Sequence, residues 1–209
     1  AHGFAGSRPL MQSFALTLAQ AGYIVVSFDF MGHGRNPVPM SGDVTSIDGT
    51  TTLLMDELAR VADVALALPR SDGRLALLGH SMASDIVVRQ AVQDARVGAV
   101  VAISMFSLAV TADEPSNLLV VTGQWEAMLA EEAEKALRLT DPSAGLGDTT
   151  GDPADGTGRR AVLAPNVEHV GVLYSPVTLE ESRAWFDAAF GRTSTGPVTE
   201  RGGWVALLI

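Results

Sequence analysis

The chain has 209 residues, 47% of them hydrophobic, with a formal net charge of -10 and no cysteine. That length and apolar content suit one domain with a sizeable core; the charge disfavours phosphate backbones, nucleic acid included, and anionic lipid as partners; the lack of cysteine excludes disulfides and thiolate chemistry. The four histidines, at 2, 33, 80 and 169, contain no i, i+4 pair of the kind that builds a helical metal site, so neither a metal nor another cofactor is expected.

In chain order, residues 9–21 carry Leu10, Phe14 and Leu18 at four-residue spacing, with Ser7 in N-cap position, Pro9 in the first turn and Gly22 past the end. That pattern predicts a helix. Residues 23–28 form a β-branched and aromatic run that predicts a strand, and residues 30–39 are punctuated by Gly and Pro and predict a loop. Over residues 47–68, Leu54, Leu58, Val61, Ala65 and Leu68 mark one face of a long helix that Pro69 ends. Residues 75–78 are an apolar run that stops at Gly79-His80-Ser81-Met82-Ala83, and helical spacing resumes from 82 to about 94. Residues 99–105 and 118–122 are continuous apolar runs of strand length, as expected where both faces of a parallel sheet are covered. Residues 126–139 predict an acidic amphipathic helix, 141–158 a surface loop, 161–167 a last strand and 178–190 a final helix with Trp185 and Phe186. Alternation of strand and helix implies an α/β fold with right-handed crossovers.

Residues 191–203 are polar, with Gly, Thr and Pro, and residues 204–209 are wholly apolar. Six residues cannot span a bilayer, which needs about 20. The tail therefore suggests either a terminal strand or the opening of a membrane helix with Arg201 and Trp204 as its interfacial flank. The expected division is a domain over 1–192 and a linker with apolar tail over 193–209, membrane-associated beyond 204 if the apolar run continues and cytoplasmic otherwise.

In such sheets, ligands bind beyond the carboxyl ends of the strands. The strand ends lead into Asp29, Ser81, Ser104-Met105-Phe106, Gly123-Gln124-Trp125-Glu126 and Glu168-His169. A serine, a carboxylate and a histidine, each past a different strand, are the parts of a hydroxyl nucleophile with its base and orienting acid. Asp141 and Asp113 are alternative sources of the carboxylate. Met105, Phe106, Trp125, Val170 and Leu173 are candidates for an apolar substrate pocket. No G-x-x-x-x-G-K-S/T or G-x-G-x-x-G is present, which argues against a nucleotide-binding domain.

Taken together, the motifs resemble the α/β-hydrolase family over nearly the whole chain. His2-Gly3-Phe4-Ala5-Gly6-Ser7 is similar to the family's oxyanion loop, and Asp29-Phe30-Met31-Gly32-His33-Gly34 to its D-x-x-G-H-G segment. Gly79-His80-Ser81-Met82-Ala83 is similar to its nucleophile elbow, with Ala83 in place of the commoner glycine. Thr122-Gly123-Gln124-Trp125-Glu126 is similar to the acid-bearing loop, with Glu in place of the commoner Asp, and Glu168-His169-Val170-Gly171 to the histidine loop. The strand that in the family precedes the His-Gly loop has no counterpart in the 209 residues.

The resemblance implies a mostly parallel sheet of about five to six strands flanked by helices on both faces. With only residues 106–117 between two strands where many members insert a helical lid, no cap domain is expected. It further implies Ser81 as nucleophile, His169 as base and Glu126 as orienting acid, with backbone N–H groups of Met82 and Phe4 facing the oxyanion. His2, Asp29, His33 and His80 would be architectural. The expected activity is cleavage of a small-molecule carboxylic ester. Thioester, amide and acyl-transfer chemistry share the same parts, and a non-catalytic binding module is the rival from another class.

Overall fold

The computed structural model describes residues 1–43 and 46–200. Helix α1 (Gln12–Gln20) follows a 3-10 turn (Arg8–Met11), and α2 (Thr52–Leu66) follows a wider turn (Ile47–Thr51). Then come β1 (Leu75–His80), α3 (Met82–Gln93), β2 (Val97–Ile103), β3 (Leu118–Gly123), α4 (Ala127–Arg138), β4 (Thr149–Thr150), β5 (Arg159–Ala164) and α5 (Pro176–Ala189). The sheet order is β1-β2-β3-β5-β4; all pairs are parallel except the short β4 against β5. This is the expected mostly parallel α/β sheet with helices on both faces, and no cap domain interrupts it.

The continuous apolar runs have a direct explanation in the two cores. Side chains alternate across a strand, so Val100, Ala102, Leu118, Val120 and Ala161 face α2, α3 and α4. Their neighbours Val101, Ile103, Leu119, Val121 and Val162 face α1 and α5 on the other side. Burying a Val or Leu side chain fully contributes about 1.5–3 kcal/mol. Strands covered on both faces gain this at every position, and β3 is buried from end to end.

Three expectations change. Residues 23–28 are not a strand, because a strand exists only where its N–H and C=O groups find ladder partners. A cavity of about 270 Å³ lies between this segment and β1, lined by Val25, Val26 and Phe28 on one wall and Leu75, Leu77 and Leu78 on the other. The helix expected over 9–21 begins as a 3-10 turn, and Ser7 makes no side-chain cap hydrogen bond. The loop over 141–158 contains the two-residue β4, pinned to β5 by Thr149 and Thr150.

Among the described residues no helix is long and apolar enough to cross a membrane. The apolar tail over 204–209 lies outside the described residues.

Candidate active site

The geometry of the site starts from the junction of β1 and α3. Ser81 sits between them with φ 55° and ψ -120°, outside the regions an L-residue prefers. The turn is tight because α3 doubles back onto β1: a Cβ on Gly79 would lie 2.3 Å from the Ala83 carbonyl oxygen. Only glycine fits at 79, and the wholly buried Ala83 fills the space where more volume would clash. Ser81 N donates to Ile103 O of β2 at 2.9 Å, while Ser84 N and Ser84 Oγ both donate to Ser81 O, at 2.8 and 2.6 Å. Strand and helix together fix the serine backbone.

The acid rises from the end of β3. Glu126 Oε2 accepts from Gly123 N and from Ser104 Oγ, each at 2.7 Å, and its Oε1 lies 2.5 Å from His169 Nδ1. Ser104, the residue after the end of the β2–β3 register and 2% exposed, has φ 51°, which turns its hydroxyl toward the carboxylate. The histidine loop is held by the chain around it: Trp125 N donates to Val167 O at 3.1 Å, and His80 Nε2 donates to His169 O at 2.8 Å. His169 Nε2 lies 2.8 Å from Ser81 Oγ.

Proton positions follow from the acceptors. A carboxylate only accepts, so His169 Nδ1–H donates to Glu126. In the neutral ring Nε2 then accepts, and Ser81 Oγ–H donates to it. The hydrogen bond with Glu126 raises the pKa of His169 above its ordinary 6.5, against a smaller opposing effect of burial. On Glu126, burial pushes the pKa up, but the hydrogen bonds from His169, Ser104 and Gly123 outweigh it and hold the carboxyl below its usual range. The two shifts agree: the pair favours carboxylate beside imidazolium.

The loop that follows Ala1 is built around His2. Its Nδ1–H donates to Gly3 O at 2.9 Å and its Nε2 accepts from Phe30 N at 3.0 Å, a neutral tautomer that suits its complete burial. Burial lowers its pKa. Gly6 N also donates to Gly3 O, at 3.0 Å, closing the turn. Gly3 passes so near Ser81 that a Cβ there would lie 2.9 Å from Ser81 Cβ. Among the described residues neither Phe4 N nor Met82 N donates a backbone hydrogen bond outside regular structure, which leaves both N–H groups available to an oxygen of a bound molecule.

Asp29 accepts from Arg8 N at 2.7 Å and Arg35 N at 3.0 Å, and His33 Nδ1 donates to Met31 O at 2.9 Å. Asp29 thus ties the segment at Arg8 to that at Arg35, and His33 closes its own loop. Asp141 accepts from Ser143 N and Ser143 Oγ within its own turn, at 2.8 and 2.7 Å, whereas the carboxylate bonded to His169 is that of Glu126.

Of the apolar candidates, Phe106, Trp125 and Val170 are exposed, but Met105 and Leu173 are not pocket surface: they are 2% and 1% exposed and belong to the core on opposite faces of the sheet. The alternation of side chains past the end of β2 sends Met105 inward and Phe106 outward. Ser104 as a support of the acid was not visible in sequence; a serine at a strand end is the one signal, and its left-handed backbone shows only in three dimensions. Among the described residues no group of three or more His, Asp or Glu side chains is placed to hold a metal ion.

Comparison with known proteins supplies the rest. The sequence profile of the serine aminopeptidase S33 family matches residues 1–144. No curated protein sequence matches significantly. Among solved structures, a dienelactone hydrolase from Anabaena variabilis superposes with a TM-score of 0.65 at 20% identity, covering 89% of this chain and 82% of that one. An esterase from Pyrococcus furiosus gives 0.61 at 16% identity, covering 93% and 81%. A ferulic acid esterase from Streptomyces cinnamoneus gives 0.58 at 20% identity, covering 96% and 68%. At such identities the likeness is one of fold.

Proposed function

Because the chain belongs to the serine aminopeptidase S33 family of α/β-hydrolases, we propose that it is a serine hydrolase that cleaves carboxylic esters through an acyl-enzyme. The observation that carries this reading is the unbroken hydrogen-bonded series Glu126–His169–Ser81, at 2.5 and 2.8 Å. In it Ser81 Oγ attacks the ester carbonyl carbon and passes its proton to His169 Nε2. Glu126 stabilises the imidazolium so formed and keeps Nδ1 protonated. The oxyanion is met by Met82 N–H and Phe4 N–H; such donors are worth about 10²- to 10³-fold each in rate.

Collapse of the tetrahedral intermediate breaks the bond to the alcohol oxygen, which takes the proton from His169 Nε2. Water then repeats the sequence on the acyl-enzyme: His169 accepts its proton, the hydroxide oxygen bonds to the acyl carbon, and Ser81 Oγ leaves with the proton returned. No group beyond water is required to balance either half.

A fluorophosphonate probe applied to the wild type and to Ser81→Ala tests the reading. Labelling of the wild type alone is expected. Equal labelling of both proteins, or labelling of neither, overturns it.

A further inference from the structure

The loop that carries His169 is closed by the residue before it. Glu168 Oε2 accepts from Val170 N and Glu168 Oε1 from Gly171 N, each at 2.7 Å, and Glu168 O accepts from Val172 N at 3.0 Å. One residue thus bonds all three that follow His169, and so sets the backbone from which the imidazole projects. The carboxylate meets the 3-10 turn Gly171–Tyr174 at its amino end, where unpaired N–H groups favour an anion. Gly171 makes room for this clasp: a Cβ there would lie 2.9 Å from Glu168 Oε1 and 3.2 Å from Val167 Cβ.

The two acids beside the ring differ in their surroundings. Glu126, with a side chain 6% exposed, bonds the imidazole directly. Glu168 is exposed, is bonded by backbone N–H groups, and has no ion-pair partner among the described residues. Its charge is left uncompensated next to the base. The titratable groups that face His169 are Glu126 on the acid loop, Glu168 on its own loop and the neutral ring of His80 on the elbow. Both carboxylates favour the imidazolium, Glu126 more strongly through its hydrogen bond and Glu168 through charge alone.

We propose that Glu168 is a positioning residue for the base: its carboxylate fixes the backbone that aims His169 at Ser81, and its charge supports the imidazolium formed in turnover. This rests on the serine-hydrolase reading above. Substitution separates the two contributions. Aspartate at 168 keeps the charge and both acceptor oxygens, and a short acid readily bonds N–H groups two and three positions on. Glutamine keeps one acceptor oxygen and loses the charge, and alanine loses everything. Gly171→Ala keeps the charge but pushes the carboxylate off its donors.

The experiment follows p-nitrophenyl acetate hydrolysis across pH by the purified chain and by Glu168→Asp, Glu168→Gln, Glu168→Ala, Gly171→Ala and Ser81→Ala. Each rate is divided by the number of sites that a fluorophosphonate labels at completion, so that misfolded protein does not count. Expected is a kcat per site about tenfold lower in Glu168→Ala and Gly171→Ala, since a small misplacement of a reacting group is costly. The loss should be smaller in Glu168→Gln and largely relieved in Glu168→Asp, with KM within about twofold throughout. The acid limb of kcat/KM should move down in Glu168→Gln and Glu168→Ala, by less than in Glu126→Gln, and stay in place in Glu168→Asp and Gly171→Ala. Because Glu168 is exposed, that movement should shrink in about 1 M salt, where screening acts within about 3 Å. A wild-type kcat per site in Glu168→Ala, a loss that Glu168→Asp does not relieve, or a limb unmoved in Glu168→Gln overturns this proposal and leaves the hydrolase reading standing. Turnover that persists in Ser81→Ala, or that is absent from the wild type, overturns both.

Discussion

Two imidazoles with ring centroids 4.9 Å apart, His80 on the elbow and His169 on the opposite loop, have opposite electrostatics. His169 is partly exposed and paired with a carboxylate, and its pKa is raised. His80 is buried, its Nε2 bonded to the His169 carbonyl, and desolvation lowers its pKa to about 4. The residue type is the same; the partner decides. A ring that gains a carboxylate is poised to take a proton near neutrality, and a ring that gains only a carbonyl is fixed as a neutral donor. In the proposed mechanism one histidine works on the reacting group, and the other holds the loop that presents it.

The contrast can be broken most sharply at the titrating end. Ser81→Ala and His169→Ala should each lower kcat by about 10⁶-fold if they act as a unit, measured with a p-nitrophenyl ester. Glu126→Gln should lower it by about 10⁴-fold, whereas Asp141→Asn, whose carboxylate serves only its own turn, should stay close to wild type. The same Glu126 variant provides the pH test. Because His169 must be neutral to accept the serine proton, kcat/KM should fall on the acid side with an apparent pKa above 6.5, and removing the Glu126 charge should bring that limb down. A wild-type limb near 4 would reverse the roles given to the two rings.

Smaller effects sharpen the picture. Ser104→Ala removes one of the three donors to Glu126 while keeping its charge, so a loss of about tenfold is expected with the acid limb still above 6.5; a limb that drops as it does in Glu126→Gln would mean that Ser104 acts through charge and not through position. His80→Gln keeps a donor for the His169 carbonyl and should alter kcat/KM least, with no shift of the acid limb.

Its signature lies in stability. The folded pKa of His80 is depressed, so between 6.5 and about 4 the unfolded chain binds the extra proton; stability is full above 6.5 and lost as pH falls through that window. The interval corresponds to about 3 kcal/mol. Denaturant titrations at pH 7 and pH 4.5 should therefore diverge less in His80→Gln than in the wild type.

The parts of the molecule legible in sequence were those that local chemistry dictates. Apolar runs without alternation announced strands covered on both faces, and Ser81, Glu126 and His169 stood out because each lies within a short stretch past a different strand end. What stayed hidden depended on neighbours far along the chain. Residues 23–28 have the composition of a strand, yet a cavity separates them from β1 and no ladder forms. Met105 and Phe106 are adjacent apolar residues that only the direction of the chain past β2 sorts into core and surface. Ser104 meets Glu126 across 22 positions, through a backbone angle that no local pattern announces for serine.

The left-handed backbone of Ser81 also bears on how this chain evolves. An L-residue held in such a conformation costs about 1–3 kcal/mol, a burden that glycine would lift. Ser81→Gly should accordingly melt higher than the wild type while losing turnover, so the most stable sequence of this fold is not the active one. Selection for stability alone would favour glycine at this position.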